Sequence, residues 1–293
     1  MQKNNNQNLN EMKKIFYWFF IVFICCSCSK ENGGFIDDKM NMEGVLPSVF
    51  TITDMSGNDV KIRFSRGNLQ YNAALDIWRF AENQYDVIGV DNQKSSNTYE
   101  GWIDLFGWGT SGYSDKYPYF VSQDLADYSD IVDVNLDISK TNYDWAYFNK
   151  ISNGEDSVKV WRILSKEEWR LLFEKYYYTI ATVCGVRGVI LSERDDIQNV
   201  VFFAKDFKEN DFDAVLWSDL ERDGCVFFPF AGYRIGRVYY KDMNRLRIWT
   251  STSIDDAFAY VWGNENNHYY DIQESTIEEY LYVGLSVRPV VVY

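Results

Sequence analysis

The last ten residues, Gly284 to Tyr293 (GLSVRPVVVY), decide how the rest of the chain is read. They are short, β-branched and without a polar tail, and Gly284 opens them with a turn. That composition predicts a buried strand on which the domain closes. Three segments upstream have the same character: Val226 to Arg234 (VFFPFAGYR), Ile248 to Ser253 (IWTSTS) and Ala257 to Gly263 (AFAYVWG). Each is aromatic or β-branched and is flanked by Gly, Asn or Asp, so the four together are expected to form one sheet.

Working outward, Trp161 to Trp169 (WRILSKEEW) places Ser165 three residues before Glu168, the spacing of a capping box. Trp169, Leu172, Phe173 and Tyr176 then recur on one helical face, which predicts a helix within residues 145–178 that packs on the C-terminal sheet. Residues 182–191 (TVCGVRGVIL) read as a hairpin turning between Gly185 and Gly188. Residues 197–217 show no clear period, and 205–213 read as an exposed loop or short helix.

The order F-x-P-x-A-G-Y-R (Phe227 to Arg234), W-T-S-T-S (Trp249 to Ser253) and G-L-S-V-R-P (Gly284 to Pro289), preceded by W-R-I-L-S-x-x-E-W, resembles the major-paralogous-domain branch of the formylglycine-generating-enzyme-like proteins of C-type-lectin fold. The resemblance covers roughly residues 145–293. It implies an α+β, C-type-lectin-like fold, mostly antiparallel sheet with one or two helices, preceded by a β-rich segment over 47–144. It also implies a lipoprotein of Bacteroidetes type. Such a fold serves oxidases, sugar-binding lectins and diversified receptors alike, so it does not by itself name a function.

At the other end, Ile15 to Cys26 is an apolar run preceded by Lys13 and Lys14, too short for the ~20 residues of a spanning helix and suited to a signal-peptide core. Residues 24–28 (ICCSC) resemble a relaxed lipobox. Residues 1–27 therefore read as a lipoprotein signal peptide, with Cys28 the lipidated residue and 28–46 a flexible tether. Met12 is an alternative start. Ser29-Lys30-Glu31 resembles the signal that sends such lipoproteins outward, which implies a lipid anchor in the outer membrane at the cell surface, with the periplasmic face as the alternative.

The chain of 293 residues carries a net charge of −14. Removing residues 1–27 takes away three Lys and one Glu and leaves −16. An acidic surface of that size argues against nucleic acid as a partner. Aromatic residues are dense, with 20 Phe, 22 Tyr and 10 Trp, and Tyr and Trp in loops offer large rigid area with a polar tip, which suits a binding face.

Along the N-terminal part, 49–53 and 60–64 alternate around the turn at Ser56 to Asp59, and Trp78 to Phe80 continues what reads as one antiparallel sheet. Gly101 to Tyr113 (GWIDLFGWGTSGY) is expected to be an ordered loop pinned by Trp102, Phe106 and Trp108, with a sugar platform as the alternative reading. In the acidic stretch 124–144, Asp133, Asn135, Asp137 and Asp144 have calcium-loop spacing, but Ile138 stands where that loop needs Gly. No cofactor is therefore assigned, and calcium in a looser site is kept as the alternative.

The chain holds a single His and none of the P-loop, G-x-S-x-G, H-E-x-x-H or CxxC motifs. Cys184 and Cys225, the cysteines outside the export segment, do not match the two-cysteine pattern of the formylglycine-generating branch. A disulfide between them is left open. Two segments stand out instead. Residues 235–247 (IGRVYYKDMNRLR) are basic and Tyr-bearing within an acidic chain, and 264–270 (NENNHYY) combine amides, a carboxylate, the imidazole and two phenols. They predict a ligand face of Tyr239, Tyr240, Arg245, Asn264, Glu265, Asn267, His268 and Tyr269, on loops from neighbouring strands of one sheet. The expected function is non-enzymatic binding of a protein or glycan by a cell-envelope lipoprotein. The alternatives are an oxidoreductase of the formylglycine-generating type and a structural component of an envelope or fimbrial assembly.

Overall fold

The computed structural model describes residues 42–53, 57–132, 136–155, 157–194, 211–264 and 274–293. The expected signal peptide, Cys28 and the start of the tether lie outside these residues. Residues 39–293 form one compact unit of α+β class, built from small, mostly antiparallel sheets and a few helices, with β7 and β9 pairing in parallel.

The first sheet has the order β1-β2-β16-β6, from β1 (Phe50–Thr53), β2 (Asp59–Phe64), β6 (Trp161–Arg162) and β16 (Val290–Val292). Alternation in β1 sends Phe50 and Ile52 inward, and the β1–β2 hairpin forms as the sequence predicts, pairing Phe50 with Ile62. β16 is the C-terminal strand, and Val290 and Val291 are fully buried between β2 and β6. This sheet draws two strands from residues 47–144 and two from 145–293, so both parts of the chain share one hydrogen-bonded ladder.

The remaining strands correct two expectations. Trp78 to Phe80 does not extend the first sheet: β4 (Ile77–Phe80) pairs with β3 (Leu69–Asn72), which pairs with β5 (Trp102–Ile103) in a sheet of its own. The four C-terminal segments do not form one sheet either. β10 (Val226–Pro229) joins β7 (Tyr177–Val183), β8 (Val186–Ser192) and β9 (Asp211–Phe212) in the order β10-β8-β7-β9. β11 (Tyr233–Ile235) and β12 (Val238–Tyr240) make a two-stranded ribbon, and β13 (Arg247–Ser253), β14 (Phe258–Asn264) and β15 (Glu274–Tyr280) make a third group.

The reason lies in residues 284–289, which change partner at almost every step. Gly284 exchanges backbone hydrogen bonds with Arg234, and Leu285 with Phe106. The carbonyls of Ser286, Val287 and Pro289 then accept from the N–H groups of Trp249, Leu69 and Ser65. Pro289 has no N–H to continue a ladder. The segment is a spine that joins several small sheets, rather than an edge that extends one of them.

Four helices complete the described fold: α1 (Ser129–Val132), α2 (Trp145–Phe148), α3 (Lys166–Lys175) and α4 (Ala214–Arg222). α3 carries the capping box seen in the sequence: the Ser165 hydroxyl accepts from the Glu168 N–H, and the Glu168 carboxylate accepts from the Ser165 N–H at 2.8 Å. The helix stops at Lys175, so Tyr176 is its extended C-terminal neighbour rather than a helical residue, and the chain goes straight into β7. Trp169 and Phe173 of α3 meet Phe64, Phe228 and Trp262, an aromatic centre shared by three of the sheets.

The β7–β8 hairpin turns at Cys184 and Gly185, with φ of 50° and 78°. Two successive positive φ values are what a two-residue hairpin turn demands, and Gly suits the second. Gly188 lies inside β8, beyond the turn, where a Cβ would stand 2.3 Å from the Phe228 carbonyl oxygen. α4 was not expected; Asp213 caps it by accepting from Val215 and Leu216, and Trp217 and Leu220 face the core.

Candidate functional site

The β11–β12 ribbon turns at Gly236 and Arg237, with Gly236 at φ 57°, the left-handed region that favours glycine. Alternation sends Tyr233, Ile235, Val238 and Tyr240 to one face, and Arg234 and Tyr239 to the other.

The inward face fastens the ribbon. The Arg234 guanidinium is fully buried and donates to the carbonyls of Gly236 (2.5 Å), Phe120 (3.1 Å) and Leu105 (3.3 Å). Burial without a carboxylate partner pulls its pKa down to about 10, still a cation at neutral pH. The Tyr239 hydroxyl donates to the Ala231 carbonyl at 3.2 Å, and burial raises its pKa. Tyr239 therefore holds the ribbon against the body and offers a ligand little.

The outward face is an ordered stack. The rings of Tyr233 and Tyr240 lie 4.8 Å apart and 8° from parallel, and the Arg247 guanidinium sits 4.9 Å from the Tyr233 ring centroid. Arg247 is held at the start of β13 by Glu279 of β15, with Nη1 to Oε2 at 2.5 Å, and by Asp242 at 3.7 Å. One end of the stack is thus closed by an ion pair. At the other end Tyr240 is 41% exposed, beside Val238 at 50%.

Basic residues neighbour the stacked tyrosines in the chain. Arg237 stands exposed at the ribbon tip and Lys241 just after Tyr240. Arg245 is partly exposed, 3.8 Å from Asp242, and Arg187 of β8 donates to the Asn244 side chain at 3.2 Å. Of the expected ligand residues, the structure thus brings Tyr240 and Arg245 to one patch and turns Tyr239 inward. Asn264 ends β14, its backbone paired with Glu274. Glu265, Asn267, His268 and Tyr269 lie outside the described residues. The expectation of loops from one sheet is corrected: the ribbon is a separate sheet from β13–β15, coupled to it through residues 241–246 and Arg247.

Arg237, Val238, Lys241 and Arg247 fall within the 235–247 segment that the sequence singles out, though not among its named ligand residues, whereas Tyr233, Arg187 and Glu279 lie outside both segments. The sequence places Tyr233 in a strand of the C-terminal sheet, and only its pairing with Tyr240 shows that the half-buried ring stacks on an exposed one. Arg187 and Glu279 come from distant strands, which no spacing could reveal.

The other candidates are structural. Phe106 and Trp108 are fully buried, and the Trp108 indole N–H donates to Thr250 at 2.9 Å, so the 101–113 segment packs as expected. Trp102 is half-buried in β5 with the Arg79 guanidinium 3.9 Å above its ring. A second aromatic run, exposed Tyr280 between half-buried Phe258 and Tyr282, lies on β14, β15 and the segment after it.

Asp144 accepts from the N–H groups of Lys140, Ala146, Tyr147 and Ile163, and caps α2. Asp104 accepts from Ile88 N–H and the Asn92 side chain. Burial raises both carboxyls to about 6, against the opposing pull of those hydrogen bonds. Asp133 and Asn135 of the calcium reading lie outside the described residues. Among the described residues no three Asp, Glu, His or Cys cluster as metal ligands would. Cys184 lies at the hairpin turn and Cys225 in the core, with no disulfide between them.

Compared with protein families, with characterised proteins and with solved structures, the chain matches none.

Proposed function

We propose that this protein is an exported, lipid-anchored binding protein whose C-type-lectin-like domain captures a glycan or protein ligand on the outward face of the β11–β12 ribbon. The observation that carries the reading is the Arg247–Tyr233–Tyr240 stack, closed by an ion pair at one end and open at Tyr240. Such a stack offers rigid aromatic area that is already ordered, so a ligand meets it with little entropic cost. Binding is favoured over oxidative catalysis by the cysteine placement: Cys225 is fully buried in the core beside Phe227, away from any surface a substrate could reach. The raised carboxyls, Asp104 and Asp144, are likewise engaged with backbone N–H groups.

Attachment at Cys28, in the outer membrane and facing outward, rests on the export segment and is part of the same proposal. Two measurements test it. Mass spectrometry of the mature N-terminus is expected to find an acylated Cys28, and an unmodified N-terminus elsewhere would remove the anchor. Arrays of glycans and proteins probed with the mature chain are expected to give a ligand whose affinity drops by ~1–2 kcal/mol or more in Tyr240→Ala, the loss typical of an interface anchor. Unchanged binding in a folded Tyr240→Ala protein would place the site elsewhere.

A further inference from the structure

We infer that the buried cluster of Arg288, Asn68 and Gln84 binds a small monovalent anion of halide type. The inference stands apart from the binding role of the ribbon. Its first support is the way buried arginines are paired in this protein. Among the described residues, Arg162 and Arg247 donate to the carboxylates of Glu168 and Glu279, and Arg63 and Arg234 donate to backbone carbonyls. Arg288, only 1% exposed, meets two side-chain amide oxygens instead. Gln84 Oε1 accepts from it at 3.0 Å but also accepts from the Phe227 N–H, and Asn68 Oδ1 accepts at 3.4 Å. The Glu221 carboxylate attracts the guanidinium through space and makes no hydrogen bond to it. On one side the Phe228 ring centroid stands 5.7 Å from the guanidinium carbon, so the surroundings there are apolar.

The second support is a surplus of donors. Arg288 Nε, Asn68 Nδ2 and Gln84 Nε2 are all buried, and none has an acceptor among the described residues. Each amide nitrogen shares a carbon with the oxygen that accepts from Arg288, which puts it about 2.2 Å from that oxygen. The three nitrogens are thus gathered within about 6 Å of one guanidinium group. Leaving buried donors unpaired is costly, and leaving a buried charge unpaired more so. The donor set selects the occupant. A water brings two hydrogens of its own that need acceptors, in a cluster where donors already outnumber acceptors. An anion needs none, and it neutralises the guanidinium as well. Against a single buried positive charge, a divalent oxyanion would leave a net negative charge in the core, whereas a halide balances it. The bound anion ties the C-terminal segment at Arg288 to Asn68, just before β3, and to Gln84, just after β4.

The experiment melts the mature chain at a constant ionic strength of ~0.3 M, with gluconate, too large for a buried site, replaced stepwise by chloride or bromide. The parent is expected to gain about 2–5 °C as halide replaces gluconate, because the anion binds the folded state alone. Two variants should lose that gain. Arg288→Met removes the cation, and in halide-free buffer it should melt close to the parent. Gln84→Glu keeps an oxygen for Arg288 and for Phe227 N–H while supplying the negative charge from the protein itself, so it should melt in gluconate at least as high as the parent does in chloride. In crystals of the parent soaked in bromide, an anomalous peak is expected within hydrogen-bond distance of Arg288 Nε. A parent that gains nothing from halide would overturn the inference, as would a gain shared equally by both variants, which is a general salt effect. Bromide found only on the surface would overturn it too and leave the cluster to water.

Discussion

Two arginines, both fully buried and neither hydrogen-bonded to a carboxylate, show how differently the same residue can be used. Arg234 donates to three backbone carbonyls that have come from three separate segments, whereas Arg288 meets only the side-chain oxygens of Gln84 (3.0 Å) and Asn68 (3.4 Å). The Nε of each arginine lacks a partner among the described atoms, and around Arg288 the amide nitrogens of both neighbours do too; burial pulls the Arg288 pKa down to about 9, against the pull of Glu221. Losing Arg234 would strip a donor from each carbonyl, at ~1–3 kcal/mol apiece. Losing Arg288 would remove an uncompensated cation and leave Gln84 still accepting from Phe227 N–H at 2.7 Å. Urea denaturation in halide-free buffer is therefore expected to show Arg234→Met destabilised by ~3 kcal/mol or more, and Arg288→Met within ~1 kcal/mol of the parent; equal losses would contradict this account.

The buried carboxyls set a pH dependence. Asp104 and Asp144 each rise from an ordinary 3.8 to about 6 on folding, so between roughly pH 4 and 6 the folded protein holds more protons than the unfolded chain. Stability then falls as pH rises through that window, and the cost of burying both charges is fully present above it. Exposed Asp91 and Glu167, lowered by Lys94 and Arg170, act in the opposite sense, but solvent screening keeps their share small. Denaturation midpoints measured from pH 4 to 7 are expected to decline, and Asp104→Asn should reduce the slope. A slope unchanged by that substitution would count against the shift.

Among the elements, α3 was the most legible because its signals are local. Ser165, Glu168 and the apolar spacing lie within one short segment, and hydrogen bonds between neighbours in sequence need no knowledge of the rest of the fold. What the spacing could not show is the second use of Glu168. Its carboxylate takes both Nη atoms of Arg162, at 2.7 and 2.8 Å, and ties the helix start to β6 in the first sheet. Removing the cap alone and removing the buried partner should therefore differ. Ser165→Ala is expected to cost ~1 kcal/mol, and Glu168→Ala ~3–5 kcal/mol because it leaves the Arg162 charge buried and unpaired. Similar losses in chemical denaturation would mean that the ion pair adds nothing beyond the cap. The sheets were less legible, since short aromatic strands look alike whichever partner they take.

The whole molecule closes on its final strand. β16 lies between β2 and β6, and residues 284–289 join it to the sheets carrying Arg234, Trp249 and Leu69 and to the loop at Phe106. Deleting residues 284–293 removes Leu285, Val287, Val290 and Val291 from the core, at ~1.5–3 kcal/mol each. That sum consumes a typical stability of ~5–15 kcal/mol before any backbone pairing is counted. The truncated protein is expected to lack a cooperative melting transition and near-ultraviolet circular dichroism. A truncated chain that melts with the parent would show that the spine is dispensable.

The sequence by itself determined the class, the first hairpin, the capped helix, the packed aromatic loop and the burial of the last strand. Each of these follows from local period, cap chemistry or turn residues, which act between near neighbours. Only the tertiary structure decided which strands pair. It separated Phe227, Tyr233, Trp249 and Val290 into four sheets and turned Tyr239 inward, and it brought Arg187 to Asn244 and Glu279 to Arg247 from strands far away in sequence. Strand pairing is chosen by which faces can be buried together, and segments of equal hydrophobicity and length carry no label for their partner.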